Sequence, residues 1–341
     1  MGDLAFPLLL VVFASFFQGT FGLGMKYMRP LAWEGWWLVH VTVAMVVLPW
    51  LWALVAVPDL AGAIWGAPRG AVVGGMLYGF LWGVGGILFG VSVGRVGVSI
   101  TYGIVMGLAA SMGSLVPLFQ MGGAASRPAF PWVIMGVVVM LVGVAISAVA
   151  GVLRDRLSAA DGDIGGIRTG SAFRVGLGIA VASGVLSALL NVGFASAQPV
   201  AKAAEALGAV TRNSSLAAWV VVLVGAYAMN AGYALLMLAK NRSWGSFGAV
   251  GSAKAYRWAV LAGLFWFGAL GVYGQGAALM GEMGPVIGWP MLLGLALVIS
   301  NVWASRAGEW KGAPGPFRLM LAGVGVLIVA CVILGYANGI K

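Results

Sequence analysis

The chain has 341 residues, of which 62% are hydrophobic and only 8% are charged, whereas an ordinary soluble domain carries about 25% charged residues. This composition excludes a water-soluble globular protein, and it also excludes a disordered chain, which needs few apolar residues and a high charge density. One cysteine, Cys331, and one histidine, His40, exclude a disulfide framework and a zinc site of the usual spacing. We therefore expect no metal and no cofactor.

Runs of apolar residues long enough to cross a membrane recur along the whole chain. A bilayer core of about 30 Å requires about 20 such residues per helix, and ten runs meet that length. The first run follows Asp3 without a preceding Lys or Arg, so we expect a retained helix rather than a cleaved signal peptide. The sequence predicts an all-α integral membrane protein with ten transmembrane helices. In chain order, the predicted spans are 5–25, 35–57, 70–93, 96–119, 130–152, 174–197, 214–239, 257–280, 284–304 and 317–338.

The basic residues lie between the spans and form no stripe with interleaved aromatics, so nucleic acid is not an expected partner despite the net charge of +10. Fourteen of the 19 basic residues fall in odd-numbered loops. The positive-inside rule then predicts that these loops are cytoplasmic and that both termini are extracytoplasmic. The expected location is a bacterial-type cytoplasmic (inner) membrane, which the protein crosses many times.

The longest connection divides the spans into two sets of five. We interpret residues 1–153 as a first five-helix repeat, 154–173 as a cytoplasmic linker loop and 174–341 as a second repeat. A shift of 187 residues lays Gly94–Ile100 over Gly281–Ile287 and Gly107–Ala109 over Gly294–Ala296. Because five is odd, two such repeats must have inverted topology, as in many transporters.

Three strings in the chain are typical of one transporter family. They are Phe80–Gly85 running into Phe89-Gly90, Ser111–Pro117, and Gln198-Pro199 followed by Ala203–Gly208, and the pair Trp33-Glu34 also fits. On these strings the chain resembles the L-rhamnose/proton symporter family of the drug/metabolite transporter superfamily. The resemblance implies a secondary active transporter that moves L-rhamnose or a related monosaccharide by alternating access in symport with a proton. The ninth span departs from the family pattern, since Gly284–Pro290 contains no carboxylate and Glu282 at its mouth is the nearest one.

A carrier for a small polar solute needs hydrogen-bonding groups and aromatic faces near the bilayer midplane. Amides both donate and accept toward sugar hydroxyls, and aromatic rings pack on the apolar face of a pyranose. The alternative role of each polar residue is to join two helices within the membrane. The predicted substrate-binding residues are Gln18, Tyr78, Trp82, Tyr102, Asn191, Gln198, Tyr273, Gln275 and Trp289.

Coupling to protons requires a titratable group in the membrane, and the sequence offers few. We predict His40 and Glu282 as the proton-coupling residues, while Glu34 lies at a span mouth. The alternative for His40 is a structural histidine close to the membrane interface. Trp36, Trp37, Trp50 and Trp52 lie near span ends, where an interfacial aromatic belt is the expected role.

Two other functions compete with sugar symport. One is export of metabolites, amino acids or drugs by the same superfamily, for which a cavity carboxylate would be expected. The other is an integral membrane enzyme, but one histidine and sparse mid-span acids provide no catalytic constellation, so we predict that the chain is not an enzyme. A nucleotide-binding Gly-x-x-x-x-Gly-Lys-Ser/Thr loop is also missing from the sequence. The expected partners are therefore a sugar, a proton or another cation, and the lipid bilayer.

Overall fold

The apolar runs form long helices in a computed structural model, which describes residues 2–160 and 171–340. No strand occurs in this part of the chain. Within residues 2–160 and 171–340, ten helical segments are long and apolar enough to cross a membrane, from Ala5–Tyr27 to Pro314–Asn338. The predicted all-α class and the ten predicted spans are confirmed.

The described residues contain thirteen α-helices. Two membrane segments contain two of these helices each, because a turn of another helical type or a proline interrupts the regular backbone. The helices are α1 (Gly2–Thr20), α2 (Trp33–Thr42), α3 (Leu48–Ala56), α4 (Leu60–Gly66), α5 (Arg69–Val96), α6 (Val98–Gln120), α7 (Phe130–Ala160), α8 (Ser171–Ser196), α9 (Gln198–Ala206), α10 (Thr211–Asn241), α11 (Ser252–Leu279), α12 (Gly284–Arg306) and α13 (Pro314–Asn338).

Two membrane segments are broken in ways that the apolar pattern alone does not reveal. A π-helical turn, Val43–Val47, joins α2 to α3 within the second segment. In the sixth segment α8 ends at Ser196 and α9 begins at Gln198, with Pro199 in its first turn. Proline has no amide hydrogen to continue the preceding helix but fits the first turn of a new one. The sixth segment therefore extends to Ala206, beyond the predicted end at residue 197.

Part of the predicted linker is helical. Helix α7 continues to Ala160, so Arg154 and Arg156 lie on its last turns rather than in a loop. The sequence prediction ended this helix at the first charge, but charged residues such as Arg are good helix formers outside the bilayer core. The remainder of the predicted linker before α8, residues 161–170, lies outside the described residues.

The chain divides into two compact units. Unit 1 contains the chain up to Gly83 together with Val192–Gly284, and unit 2 contains Val84–Asn191 together with the chain from Pro285 onward. Each unit therefore combines helices from both predicted five-helix halves. The inverted repeat and its boundaries at 153 and 174 remain predictions.

Helix α11 is central to unit 1, where it packs against α1, α2, α3 and α10. Its small residues Ala255, Ala259 and Ala262 form a buried cluster with Trp36 of α2. Glycines also bring α5 and α10 into backbone contact, since a Cβ atom at Gly79 would overlap the Val222 carbonyl oxygen. Small residues therefore allow the close helix approach that membrane proteins favour.

Unit 2 is organised around α7, which packs against α6 and α13. Glycines again make the close contacts with α13, and a Cβ atom at Gly136 or Gly143 would press on Leu334 or Leu327. At the end of α7, Arg154 pairs with Asp155 at 2.8 Å and stacks over Trp310 at 4.9 Å. This cluster joins the last turns of α7 to the segment before α13.

Candidate functional site

The predicted proton-coupling histidine lies inside unit 1. His40 is 1% exposed and stacks on Trp36 with ring centroids 5.3 Å apart, while Trp37 and Phe21 lie at 5.1 and 6.1 Å. Its ring forms a hydrogen bond with the backbone of Ala259, whereas Nδ1 is buried and has no hydrogen-bond partner among the described residues. His40 therefore faces neither water nor lipid, and one ring nitrogen retains unused hydrogen-bonding capacity.

The carboxylates occupy different environments. Glu282 is exposed in the 3₁₀ turn Gly281–Met283 that precedes α12. Glu34 is buried in the first turn of α2 and accepts hydrogen bonds from Asn241 Nδ2 at 3.0 Å and from the Ser243 hydroxyl. Of these two groups, the buried one is therefore Glu34, which the sequence analysis placed only at a span mouth.

Several predicted substrate-binding residues of unit 1 are already engaged with neighbours. Tyr273 is fully buried and packs on Phe194 and Trp219. Gln198 donates from Nε2 to the Phe194 carbonyl oxygen at 3.2 Å. Gln198 and Tyr273 are thus brought together around Phe194.

The other predicted residues of unit 1 lie in separate contacts. Gln275 donates from Nε2 to Asn213 Oδ1 at 3.3 Å, and Trp82 packs on Trp266 with centroids 5.6 Å apart. Tyr78 is half-buried beside Gly193. Gln18 is half-buried on α1, and its Oε1 atom is buried without a hydrogen-bond partner in the part of the chain that the structure describes. An unmatched amide oxygen in a membrane segment is costly, which makes Gln18 the clearest open acceptor among the predicted residues.

Unit 2 brings two of the predicted residues together on a junction of α6, α8 and α12. Asn191 is fully buried and donates from Nδ2 to the carbonyl oxygens of Gly113 at 2.7 Å and Pro285 at 2.8 Å. Trp289 donates from Nε1 to the Ala109 carbonyl oxygen at 3.0 Å and packs where a Cβ atom of Gly113 would lie. Tyr102 lies elsewhere, against Phe89 at 6.3 Å. We call the contacts of Gly113, Ser114, Asn191, Pro285 and Trp289 the α6–α8–α12 junction.

Prolines in α6 and α12 explain why carbonyl oxygens at this junction accept hydrogen bonds from side chains. Pro117 has no amide hydrogen, so the carbonyl of Gly113, four residues earlier, loses its helical donor and accepts from Asn191 instead. Pro290 deprives the Val286 carbonyl in the same way, and the Ser114 hydroxyl donates to it. Neighbouring helices thus satisfy the backbone groups that proline leaves open, as membrane proteins require.

The sequence did not predict a row of side-chain contacts between α2 and α10. Trp37 Nε1 donates to Asn230 Oδ1 at 3.1 Å, and the Thr42 and Tyr227 hydroxyls lie 3.3 Å apart. Trp33 stacks on Trp37 at 5.6 Å and meets Tyr233 edge to face at 6.3 Å. The available signal was the spacing of Tyr227, Asn230 and Tyr233 at every third position in an otherwise apolar helix. We call the side chains of Trp33, Trp37, Thr42, Tyr227, Asn230 and Tyr233 the α2–α10 ladder.

Metal chemistry has no support in these contacts. No group of three or more His, Cys, Asp or Glu side chains able to hold a metal ion occurs within residues 2–160 and 171–340. The polar groups of the predicted substrate-binding residues are instead neutral amides, phenol hydroxyls and indoles. Such groups recognise an uncharged polar solute through hydrogen bonds and ring contacts.

The ten membrane-length segments of the described residues, with few charged groups inside them, define a multi-pass membrane protein. The chain belongs to the L-rhamnose-proton symport protein family (RhaT), whose sequence model matches residues 6–339. The family name describes symport across a membrane, which is transport rather than enzymatic catalysis.

Bacterial relatives match over almost the full chain. An L-rhamnose-proton symporter of Pectobacterium atrosepticum is 26% identical over 343 residues, which cover 96% of this chain and 98% of the relative. The L-rhamnose-proton symporter of Cronobacter sakazakii is 28% identical over 323 residues, covering 91% of each chain. A third, from Yersinia pestis, is 25% identical over 319 residues with the same coverage of both chains. The chain is therefore similar to whole symporters and not to one part of them.

Proposed function

We propose that this protein is a secondary active transporter that carries L-rhamnose or a closely related monosaccharide together with a proton. The observation that carries the proposal is the family match over residues 6–339, which includes all but the ends of the chain. Relatives described as L-rhamnose-proton symporters favour this function over export of metabolites, amino acids or drugs. Alternating access of one sugar site is the mechanism that the resemblance implies.

The predicted substrate residues differ in what supports them. Gln18 has an unmatched buried oxygen, which supports a role toward a solute hydroxyl. Tyr78, Trp82, Tyr102, Gln198, Tyr273 and Gln275 remain predicted contacts, and the amides of Gln198 and Gln275 each donate one hydrogen bond to a neighbour. The backbone contacts of Asn191 and Trp289 favour a role in holding α6, α8 and α12 together.

For proton coupling we propose His40 ahead of Glu282. A histidine changes charge nearest to neutral pH, and the unpartnered Nδ1 of His40 leaves an atom that can take a proton. The other charged side chains on the elements that contact His40 lie toward the ends of those elements, namely Lys26, Glu34, Lys254 and Arg257. Exchange of His40→Gln is expected to leave sugar binding in place and to abolish gradient-driven accumulation.

We also propose a bacterial inner-membrane location with both termini outside the cytoplasm. The support is the concentration of fourteen of the 19 basic residues in odd-numbered loops. A reporter that is active only in the cytoplasm, fused after Lys341, is expected to be silent. An active fusion would reverse the orientation.

The proposed function is tested by uptake of labelled L-rhamnose into proteoliposomes, with and without an imposed inward proton gradient. Accumulation that requires the gradient and collapses with a protonophore is the expected result. Competition by other monosaccharides then ranks the substrates. Absence of uptake and competition for every sugar would overturn the proposal, and efflux driven by an opposite gradient would favour an exporter.

A further inference from the structure

The α2–α10 ladder is built from three successive pairs along two antiparallel helices. Trp33 meets Tyr233, Trp37 bonds to Asn230, and Thr42 lies against Tyr227. Position numbers rise along α2 as they fall along α10, so each pair occupies its own level. The nine steps from Trp33 to Thr42 correspond to about 14 Å of helix at about 1.5 Å per residue. The ladder therefore leads from the first residue of α2 toward the middle of the second membrane segment, Trp33–Ala56.

Asn230 is only half used by its protein contacts. Its Nδ2 atom donates to the Ala226 carbonyl oxygen at 2.9 Å and its Oδ1 atom accepts from Trp37. A carboxamide has two N–H hydrogens and two oxygen lone pairs, so one donor and one acceptor remain. A sugar hydroxyl, which both donates and accepts, matches that pair.

The hydroxyl groups of the ladder are directional as well. Thr42 donates its one hydrogen to the Leu38 carbonyl oxygen at 2.7 Å, so the 3.3 Å contact with Tyr227 has the tyrosine as donor. The Tyr227 oxygen is left with acceptor capacity. The Tyr233 hydroxyl is not one of the buried polar atoms that lack a hydrogen-bond partner. The Tyr233 side chain is half-buried. Donor and acceptor positions therefore alternate with aromatic rings along the ladder.

The close contacts of α10 with α5 are made by glycines, and a Cβ atom at Gly225 would overlap the Met76 carbonyl oxygen. Polar groups in a membrane segment are costly and mark function when the fold does not consume them. Five of the six ladder residues are half-buried and only Asn230 is buried, so the ladder reaches the surface of unit 1.

We propose that the α2–α10 ladder is a monosaccharide-binding face. Trp33 and Trp37 offer stacked rings to the apolar face of a pyranose, and Asn230 with the tyrosine hydroxyls engages its hydroxyl groups. This inference rests on the proposed function in taking a sugar as the solute. Trp37 also contacts His40, with ring centroids 5.1 Å apart, which connects the sugar face to the proposed proton site.

The test measures equilibrium binding of labelled L-rhamnose to the full-length protein in detergent, a measurement that needs neither sealed vesicles nor a gradient. Asn230→Ala is expected to raise the Kd about tenfold, which is about 1.4 kcal/mol, and Tyr233→Phe, which removes one hydroxyl, about threefold, which is about 0.6 kcal/mol. Both values lie within the range of about 0.5–1.5 kcal/mol for one hydrogen bond. Uptake in proteoliposomes should show the same changes in KM with kcat less affected.

Matched controls exist elsewhere in the chain. Asn301 makes the same bond to the carbonyl four residues earlier as Asn230 does, so Asn301→Ala repeats the local loss outside the ladder. Tyr336 meets Trp132 edge to face as Tyr233 meets Trp33, so Tyr336→Phe matches Tyr233→Phe. Both controls are expected to bind L-rhamnose within about twofold of the wild type.

The outcomes separate the two proposals. Weaker binding in the ladder variants with normal binding in the controls supports the ladder, even if the wild type shows no proton-driven uptake and the proposed coupling fails. Equal Kd values in folded Tyr233→Phe and Asn230→Ala proteins overturn the ladder while gradient-driven uptake keeps the proposed function. If Asn230→Ala does not fold, Tyr233→Phe decides alone. A wild type that binds no monosaccharide overturns the ladder outright.

Discussion

The α5–α10 contact of unit 1 and the α6–α8–α12 junction of unit 2 bring their helices together by different means. In unit 1, α5 and α10 meet through Gly79 and Gly225, where the backbone of one helix lies directly on the other. At the α6–α8–α12 junction of unit 2, Asn191 and Ser114 instead donate hydrogen bonds to carbonyls of neighbouring helices. The α5–α10 contact uses no hydrogen-bonding side chain, whereas the junction uses the hydrogen-bonding groups of several side chains.

This difference shows how a polar residue inside a membrane protein can be assigned. Asn191 and Asn230 are both buried amides in long apolar helices. Both Nδ2 hydrogens of Asn191 are donated to carbonyls of other helices, while Asn230 spends one hydrogen on its own helix and keeps capacity beside half-buried rings. Both are buried asparagines, and they differ in the hydrogens that they donate, two to other helices for Asn191 and one within its own helix for Asn230.

The largest effect is expected where backbones touch. Gly225→Ala places a methyl group onto the Met76 carbonyl oxygen, and overpacking against backbone should lower the free energy of unfolding by about 3 kcal/mol. Thermal unfolding and gel filtration in detergent measure the loss. Gly232→Ala on the same helix meets open space and should be neutral or stabilising by up to about 1 kcal/mol. Equal unfolding free energies of the two variants would contradict the close approach of α5 and α10.

Asn191→Ala is expected to have the second largest effect on stability, because it removes two interhelical hydrogen bonds at once. We expect a loss of about 1–3 kcal/mol in unfolding free energy, with the KM for sugar in the remaining folded protein changed by less than about threefold. Unfolding and uptake are measured on the same preparations, with Asn301→Ala as the control. A stable variant with a strongly raised KM would return Asn191 to the substrate site.

Ser114→Ala is expected to lower the free energy of unfolding by about 1 kcal/mol. It leaves the Val286 carbonyl, which Pro290 deprives of its helical donor, without the hydroxyl of Ser114. Ser111 lies three residues earlier and bonds within its own helix, to the Gly107 carbonyl oxygen. Ser111→Ala should therefore cost less, and a larger loss for Ser111→Ala than for Ser114→Ala would contradict the role of the freed carbonyl.

The smallest effect is a coupling between two positions. Pro117→Ala restores an amide hydrogen that the Gly113 carbonyl can accept, so Asn191 becomes less necessary. In the Pro117→Ala background, the cost of Asn191→Ala should fall by about 0.5–1 kcal/mol relative to the wild type. A double-mutant cycle of unfolding free energies measures this difference. Strict additivity would show that the freed carbonyl is satisfied by other means.

The sequence predicted the membrane segments but did not indicate which side chains pair between them. All ten segments were found because each is a continuous run whose length must match the bilayer. The tryptophans near span ends were expected in an interfacial belt, yet Trp36 is fully buried against His40 and Trp37 bonds to Asn230. Position along a span indicates depth in the bilayer, but it does not indicate which face of the helix a neighbour covers.

Family membership was also available from the sequence, because short strings such as Phe80–Gly85 and Ser111–Pro117 occupy continuous stretches. The meaning of those strings was not available. Ser111–Pro117 contains both the proline that frees a carbonyl and the serine that compensates another proline on α12. The string therefore carries helix-to-helix contacts whose second half lies far along the chain.

The amino-acid sequence by itself determined the all-α membrane class, the ten segments and the asymmetry of basic residues between loops, because each depends on local composition. Only the tertiary structure decided which polar side chains are consumed and which retain capacity. Asn191 meets Gly113 from 78 residues away, and Trp37 meets Asn230 from 193. A buried polar group is satisfied only when a hydrogen-bonding partner lies within reach. Helix packing brings such partners together from distant parts of the chain.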